Sequence, residues 1–432
     1  MKTRIRQDGH YHFDGLRNGL GLVHRQMPHA ESVAVGIWAR AGGRHEPMNR
    51  MGLSHFLEHL LFKGTHRRTC EQLKQEIEGV GGVLNGFTAE EFTCYLAKVP
   101  RRYWRRGVSV LADMVRRPRL APADVDKERE VILEEIRMYE DAPGQLVHDL
   151  FSQLLWPEHP LGMLLSGTVD TVRRITRREL VDYWRRMYQP QGLFVACVGA
   201  VEAPPVTEEI RRVFGGMRGR RVPGFARAPR ARRGPQVRVW RKETEQTHLC
   251  AGTYAVPRTH PDRFALELLH VLLGANMSSR LFREVREKRG LAYEVSTQIK
   301  RFADTGAFII SAGCDAGKLP ATLQTIFREL GRVRRAPIPQ AELRRAKDYY
   351  AGQVLMGLED TMEHMLWAGE QAVTVGRVAR PEVLLEHVRR VTARDIQHLA
   401  RRLFVSGKMH AAIVGPIAES ETARLASLCT VI

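Results

Sequence analysis

One internal repeat constrains this 432-residue chain more than any single motif. Val172-Arg173-Arg174-Ile175-Thr176 returns 216 positions later as Val388-Arg389-Arg390-Val391-Thr392. At the same offset Glu179-Leu180 meets Asp395-Ile396, Arg185-Arg186 meets Arg401-Arg402, and Val198-Gly199 meets Val414-Gly415. One constant offset held from residue 172 to 199 implies a duplicated unit. The copies are expected at 1–215 and 237–432. Between them, 216–236 mixes Gly216, Gly219, Pro223, Gly224, Pro229 and Pro235 with a run of arginines. Glycine, proline and like charge together favour an extended, solvated linker.

Within each copy the pattern alternates between sheet and helix. Val33, Val35, Ile37 and Ala39 alternate with Ala34, Gly36, Trp38 and Arg40, the period of a strand. Leu20, Leu22 and His24 share one side of an earlier strand, and 83–99 reads as a hairpin. Helices are expected from Cys70 to Val80 after a Thr69 cap, from Arg101 to Arg116, from Ala123 to Tyr139, and from Leu146 to Leu155. Thr176 starts another, with Glu179 three residues on as in a capping box. Leu193 to Val201 is an apolar strand, and Val206 to Phe214 a short helix.

The chemistry sits on His55-Phe56-Leu57-Glu58-His59. On a helix, positions i, i+3 and i+4 share one face, so both imidazoles reach one ion with Glu58 beside them. The motif is short and the chain holds 17 histidines, so spacing alone is weak support. Its setting is stronger. Leu53, Phe56, Leu57, Leu60 and Leu61 make the helix apolar, and burying a glutamate beside two histidines without an ion is costly. A catalytic zinc takes three protein ligands and keeps one open position. The third is expected from the helix carrying Glu128-Arg129-Glu130-Val131-Ile132-Leu133-Glu134-Glu135, where Glu128 and Glu135 share a face. Val131, Ile132 and Leu133 supply its apolar side, and the pattern leaves Glu134 and Glu135 both open. Zinc lowers the pKa of coordinated water toward 7, and Glu58 would take that proton and pass it to a leaving amine. Amide hydrolysis follows. The second copy carries Leu268-Leu269-His270 near the corresponding helix, Pro261 to Leu273, without the motif. His270 and His398 read as structural.

Composition excludes some alternatives. No uncharged run of about 18 apolar residues occurs, so no membrane span is expected. No apolar stretch follows Met1–Asp8, so no secretion signal is expected. Six scattered cysteines without a CxxC pair fit reduced thiols and a cytoplasmic protein. The net charge of +19 suggests nucleic acid at first. The basic residues are spread through helices and read as not interleaved with aromatics, so no nucleic-acid partner is expected.

With these residues in view, the chain resembles the pitrilysin/insulinase family of zinc metallopeptidases. It is similar to bacterial two-domain members and to the mitochondrial processing peptidase β-subunit. Matching stretches are Gly52 to Thr65, Asn85-Gly86-Phe87-Thr88, Glu128 to Glu135, and Ser278-Ser279-Arg280-Leu281-Phe282 through Arg286 to Tyr293. The resemblance implies an inverted zinc motif with His55 and His59 as ligands, Glu58 as general base and one zinc per chain. It places the distal ligand 76 positions after His59, which selects Glu135, and makes Glu128 a supporting residue. It implies that peptide binds as an added strand along Asn85, Gly86 and Phe87. Gly86 stands where alanine is usual, an exchange expected to alter edge flexibility slightly without loss of function. Tyr293 would meet the scissile carbonyl, and Arg286 the substrate backbone.

The implied fold class is α+β: two homologous domains, each a mainly antiparallel sheet flanked by helices. The implied assembly is a homodimer, with a heterodimer with a related chain as the alternative. The competing function is a non-catalytic core or assembly subunit on the same fold, or one half of a heterodimeric peptidase. Retention of His55, Glu58, His59 and Glu135 favours a zinc metalloendopeptidase acting on unstructured peptides or targeting segments.

Overall fold

The computed structural model describes residues 6–8, 11–230, 234 and 236–429. Residues 1–5, read for a secretion signal, and 231–233 and 235 of the expected linker lie outside them. Two compact units are formed. One comprises 1–136, 164–226 and 354–381, the other 137–163, 227–353 and 382–432.

The first unit is built on strands β1 (Arg6–Asp8), β2 (Tyr11–Gly15), β3 (Gly21–Gln26), β4 (Ser32–Ala39), β5 (Val83–Thr88), β6 (Thr93–Pro100) and β7 (Leu193–Gly199). Their order is β1-β2-β3-β7-β4-β6-β5. Only β3 and β7 run parallel. The second unit contains β8 (Gln236–Arg241), β9 (Thr247–Ala255), β10 (Ala292–Arg301), β11 (Gly306–Cys314) and β12 (His410–Gly415), in the order β10-β11-β9-β12-β8. Its one parallel pair is β8 with β12. Read from the other end, this matches β3-β7-β4-β6-β5 strand for strand. The duplication is therefore one of topology as well as sequence. Its local caps repeat too. Thr176 and Thr392 each cap a helix (Arg177–Met187 and Ala393–Leu403) in a reciprocal box with Glu179 and Asp395.

Strand β4 explains the first unit's layering. Val33, Val35, Ile37 and Ala39 enter the main core with Phe56, Leu57, Leu60 and Leu61 of the helix Leu53–Leu61. The opposite face, with Ala34 and Trp38, is equally buried, against Met365, Ala368 and Ala372 of the helix Thr361–Val375. That helix comes from the second half of the sequence. Its repeat counterpart, Pro143–Leu155, lies in the first half and packs Val147, Leu150 and Phe151 on the second unit's sheet, at Cys250, Ile309 and Val414. Each sheet is thus covered by a helix from the other half. The units accordingly depart from the continuous halves 1–215 and 237–432, although one crossing, at 226/227, falls inside the expected linker.

The expected helices are present with small shifts at their ends: Cys70–Glu78, Trp104–Arg116, Pro122–Asp141, Pro143–Leu155 and Ala203–Phe214. Val131, expected on the apolar side of its helix, is 44% exposed, while Ile132, Leu133 and Ile136 are buried. All six cysteines are unpaired. Among the described residues no helix is long and apolar enough to cross a membrane.

Candidate metal centre and substrate edge

The motif helix, Leu53–Leu61, has nine residues, too few to be stable alone. Packing holds it: Phe56, Leu57, Leu60 and Leu61 are each at most 1% exposed. Burial of such side chains stabilises by about 1.5–3 kcal/mol apiece. Gly52 precedes the helix at φ +103°, a left-handed conformation suited to glycine.

The polar side then carries His55, Glu58 and His59, each with a potential ligand atom within 4.8 Å of the others. Glu135 arrives from the helix Pro122–Asp141. Its Oε2 lies 3.6 Å from His55 Nε2 and 3.7 Å from His59 Nε2. Ligands at about 2.05 Å in a tetrahedron stand about 3.3 Å apart, so both Glu135–histidine approaches are within a few tenths of an ångström of a ligand-pair spacing. Glu134, one residue earlier on the same helix, is exposed.

Glu128, two turns before Glu135, is buried behind the site. Its Oε2 is 3.2 Å from His59 Nδ1 and its Oε1 2.6 Å from Lys63 Nζ. A carboxylate on Nδ1–H directs the Nε2 lone pair outward, the state an ion requires. Burial raises the Glu128 pKa, but the bonds from His59 and Lys63 outweigh it and hold the group below its ordinary value. For His59, burial is outweighed by the Glu128 bond and by the charges of Glu58, Glu135 and Glu128, so its pKa rises. His55 is pushed down to about 3, first by burial and then by His59, and is neutral at pH 7. Its Nδ1 is buried without a hydrogen-bond partner among the described residues. Glu58 is pushed up to about 7, chiefly by burial, with His59 and Glu135 acting in opposite senses. A carboxylate tuned near neutrality suits general-base work. The donor set, two imidazoles and one carboxylate, fits zinc.

Asn85, Gly86 and Phe87 lie in β5, which among the described residues pairs only with β6 and forms the edge of its sheet. Gly86 faces the motif helix. A Cβ there would stand 2.9 Å from Cζ of Phe62, the residue that ends the helix, and 3.1 Å from Cys94 O. Phe87 packs edge-on against Trp38 and Phe92. The outer backbone groups of β5 are therefore positioned by the helix that bears the histidines.

Arg286 and Tyr293 belong to the second unit, where they are neighbours. The Arg286 guanidinium lies 5.0 Å from the Tyr293 ring centre and 4.9 Å from that of Phe282. Arg286 projects from a π-helical turn, Phe282–Glu287, a backbone form enriched at functional sites. Tyr293 is the second residue of the edge strand β10 and is 72% exposed. At the 216 offset, the position of Glu135 is held by Ala351, so the second unit lacks that carboxylate. His270 is bonded to Thr297 Oγ1 at 2.7 Å, as a structural histidine would be.

Two residues of the site were not anticipated. Lys63 stands four after His59, the spacing of a shared helix face, but outside the helix proper. Glu46 lies in the loop before the motif and bonds the first turn of its helix. One run, Arg101-Arg102-Tyr103-Trp104-Arg105-Arg106, sets two aromatics between pairs of arginines. Trp104 is 7% exposed in the core, and the Tyr103 ring is flanked by Arg102 and Arg106 at 4.6 and 4.8 Å.

Comparisons with known proteins bear on this geometry. Residues 22–169 match the family model for insulinase (peptidase family M16), and 174–350 match the peptidase M16 inactive domain. An uncharacterized zinc protease of Mycobacterium leprae is 38% identical over 94% of this chain and 92% of its own length. A Bacillus subtilis protein of the same description is 33% identical over 90% and 94%. In fold, the chain is similar to a protease from Helicobacter pylori, with a TM-score of 0.88, 23% identity and coverage of 94% and 99%. It is similar also to a peptidase M16 inactive domain from Pseudomonas fluorescens, with a TM-score of 0.85 and 19% identity over 94% and 98%. The chain belongs to the pitrilysin/insulinase (M16) family of metallopeptidases.

Proposed function

We propose that this protein is a zinc-dependent endopeptidase that cleaves unstructured peptides or targeting segments bound as an added strand on β5. The approach of Glu135 to both His55 and His59, with Glu58 clustered beside the two imidazoles, carries the reading. His55, His59 and Glu135 would hold one zinc per chain, and Glu128 would orient His59. When bound, the ion acts as a Lewis acid that acidifies water and polarises the scissile carbonyl. Glu58 accepts a proton from the attacking water and delivers it to the departing amine, a transfer favoured by its raised pKa. The free edge of β5 binds the substrate main chain through Asn85, Gly86 and Phe87, so affinity depends little on substrate sequence. Arg286 and Tyr293 are assigned, on the family resemblance, to the substrate backbone and the carbonyl oxygen. The zinc-binding unit and the homologous unit without ligands exchange chain at several points, one of them in the basic segment 216–236. It works as a homodimer in a reducing, cytoplasmic setting.

Zinc content and cleavage of a quenched peptide, measured for the wild type and Glu58→Gln, test this. Zinc is expected in both and cleavage only in the wild type. A zinc-loaded wild type without cleavage would favour a heterodimer missing its partner. A wild type without zinc would overturn the site.

A further inference from the structure

The motif helix has no side-chain cap of its own, because its N-cap is Gly52. Three N–H groups at its start are nevertheless satisfied, all by one carboxylate. Glu46 Oε2 accepts from Gly52 at 2.6 Å and Leu53 at 3.1 Å, and Oε1 accepts from Ser54 at 2.7 Å. Glu46 is 4% exposed and lies at the positive end of the helix dipole. Two oxygens against three donors fix both the rotation and the axial position of the first turn. His55 follows Ser54 directly.

Glu46 is itself held. The loop before it donates from Gly43 to Ala89 O at 3.3 Å and from Arg44 to Glu90 O at 2.7 Å, at the turn leaving β5. The buried Arg44 guanidinium bonds Glu91 at 2.8 Å and Ala226 O at 3.0 Å, and lies 4.1 Å from the Phe225 ring centre. The His45 ring packs edge-on against the same phenylalanine at 5.1 Å. An anchored carboxylate of this kind does more than cap.

We propose that Glu46 is a positioning residue for the metal site: by fixing the first turn of the motif helix, it sets the direction in which His55 and Glu58 project toward Glu135. This rests on the zinc reading above. Displacing reacting groups by about 1 Å can cost a hundredfold in rate, so a residue that touches neither ion nor substrate can still control turnover.

The test compares wild type, Glu46→Gln and Glu46→Asp, with Val206→Ala as a control. Val206 is fully buried in the helix Ala203–Phe214 and takes no part in the site. Zinc affinity is measured by competition with a chelating dye, kcat and KM with a quenched peptide, and amide exchange across 52–59. For Glu46→Gln, zinc affinity is expected to fall about tenfold or more, the loss typical of residues that orient ligands. kcat should fall while KM stays within about twofold, and amides 52–54 should exchange faster. Glu46→Asp keeps both carboxyl oxygens but is one methylene short, so it should fall between, and it decides the matter if the glutamine variant does not fold. Val206→Ala should lower the melting temperature without changing zinc affinity. A Glu46→Gln protein that loses only melting temperature, with zinc affinity and kcat as in the wild type, overturns the proposal. A wild type that takes up no zinc overturns the metal reading and this inference together, whereas wild-type uptake with an unaffected variant overturns this inference alone.

Discussion

Replacing Glu128 by glutamine measures how far the metal site depends on one buried carboxylate. Glu128 is 2% exposed and receives two donors, His59 Nδ1 at 3.2 Å and Lys63 Nζ at 2.6 Å. Glutamine keeps the shape but offers one oxygen, so one donor is left facing an amide NH2. A hydrogen bond to a charged group contributes about 1.5–3 kcal/mol, and a buried donor without an acceptor adds a desolvation cost of similar size. The His59 bond also holds the tautomer that leaves Nε2 free. Loss of such a partner typically lowers metal affinity 10–100-fold, about 1.4–2.8 kcal/mol, in line with the hydrogen-bond figure. Glu128→Gln is therefore expected to weaken zinc by about tenfold to a hundredfold. Competition with a chelating dye measures this, and the melting temperature of the zinc-free protein checks that the fold is retained. Lys63→Met removes only the second donor and should cost less. A folded Glu128→Gln protein whose zinc affinity matches the wild type would refute the role given to this carboxylate.

Two further outcomes are expected. Gly86→Ala places a Cβ 2.9 Å from the Phe62 ring, so overpacking of about 1–3 kcal/mol should exceed the gain of about 0.4–1 kcal/mol from a stiffer unfolded chain. Urea midpoints should fall, and a rise would show that Phe62 moves aside freely. Glu284, bonded to Lys288 and Arg289, is held at a pKa of about 2, below its ordinary 4.5. A depressed carboxylate stabilises the fold above its unfolded pKa and loses that contribution as pH falls from about 4.5 to about 2. Glu284→Gln should thus be less stable than wild type at pH 7, with the difference vanishing near pH 2. A difference independent of pH in urea titrations would refute the ion-pair assignment.

Much of the site was readable because its geometry is local. The spacing of His55, Glu58 and His59 dictates a shared helix face wherever the helix packs. The Thr176–Glu179 box likewise forms within one turn. Glu134 and Glu135 could not be separated by pattern, since neighbours on a helix differ by about 100° and either could face inward. Tertiary packing turns Glu135 toward the histidines and leaves Glu134 exposed. Glu46 escaped notice because it caps a helix from six residues before the N-cap, through a loop whose path depends on Ala89, Glu90 and Phe225. No fixed spacing advertises such a cap. Val131 was misplaced because an apolar side chain at a helix position does not reveal whether a neighbour covers it.

The sequence by itself determined that the fold is duplicated, which stretches of the first half form strands and helices, and which helix bears a pair of histidines with a glutamate. These follow from short-range rules: side-chain period, capping, and turn residues. Only the tertiary structure decided which helix covers which sheet. The helices Pro143–Leu155 and Thr361–Val375 have equivalent sequence positions and apolar faces, and each lies on the sheet of the other half. An apolar face specifies that it must be buried, but the identity of the surface that buries it is a property of the whole chain. The same holds for the metal centre: its residue types are local, while the 3.6 and 3.7 Å approaches of Glu135 exist only once two distant helices have packed.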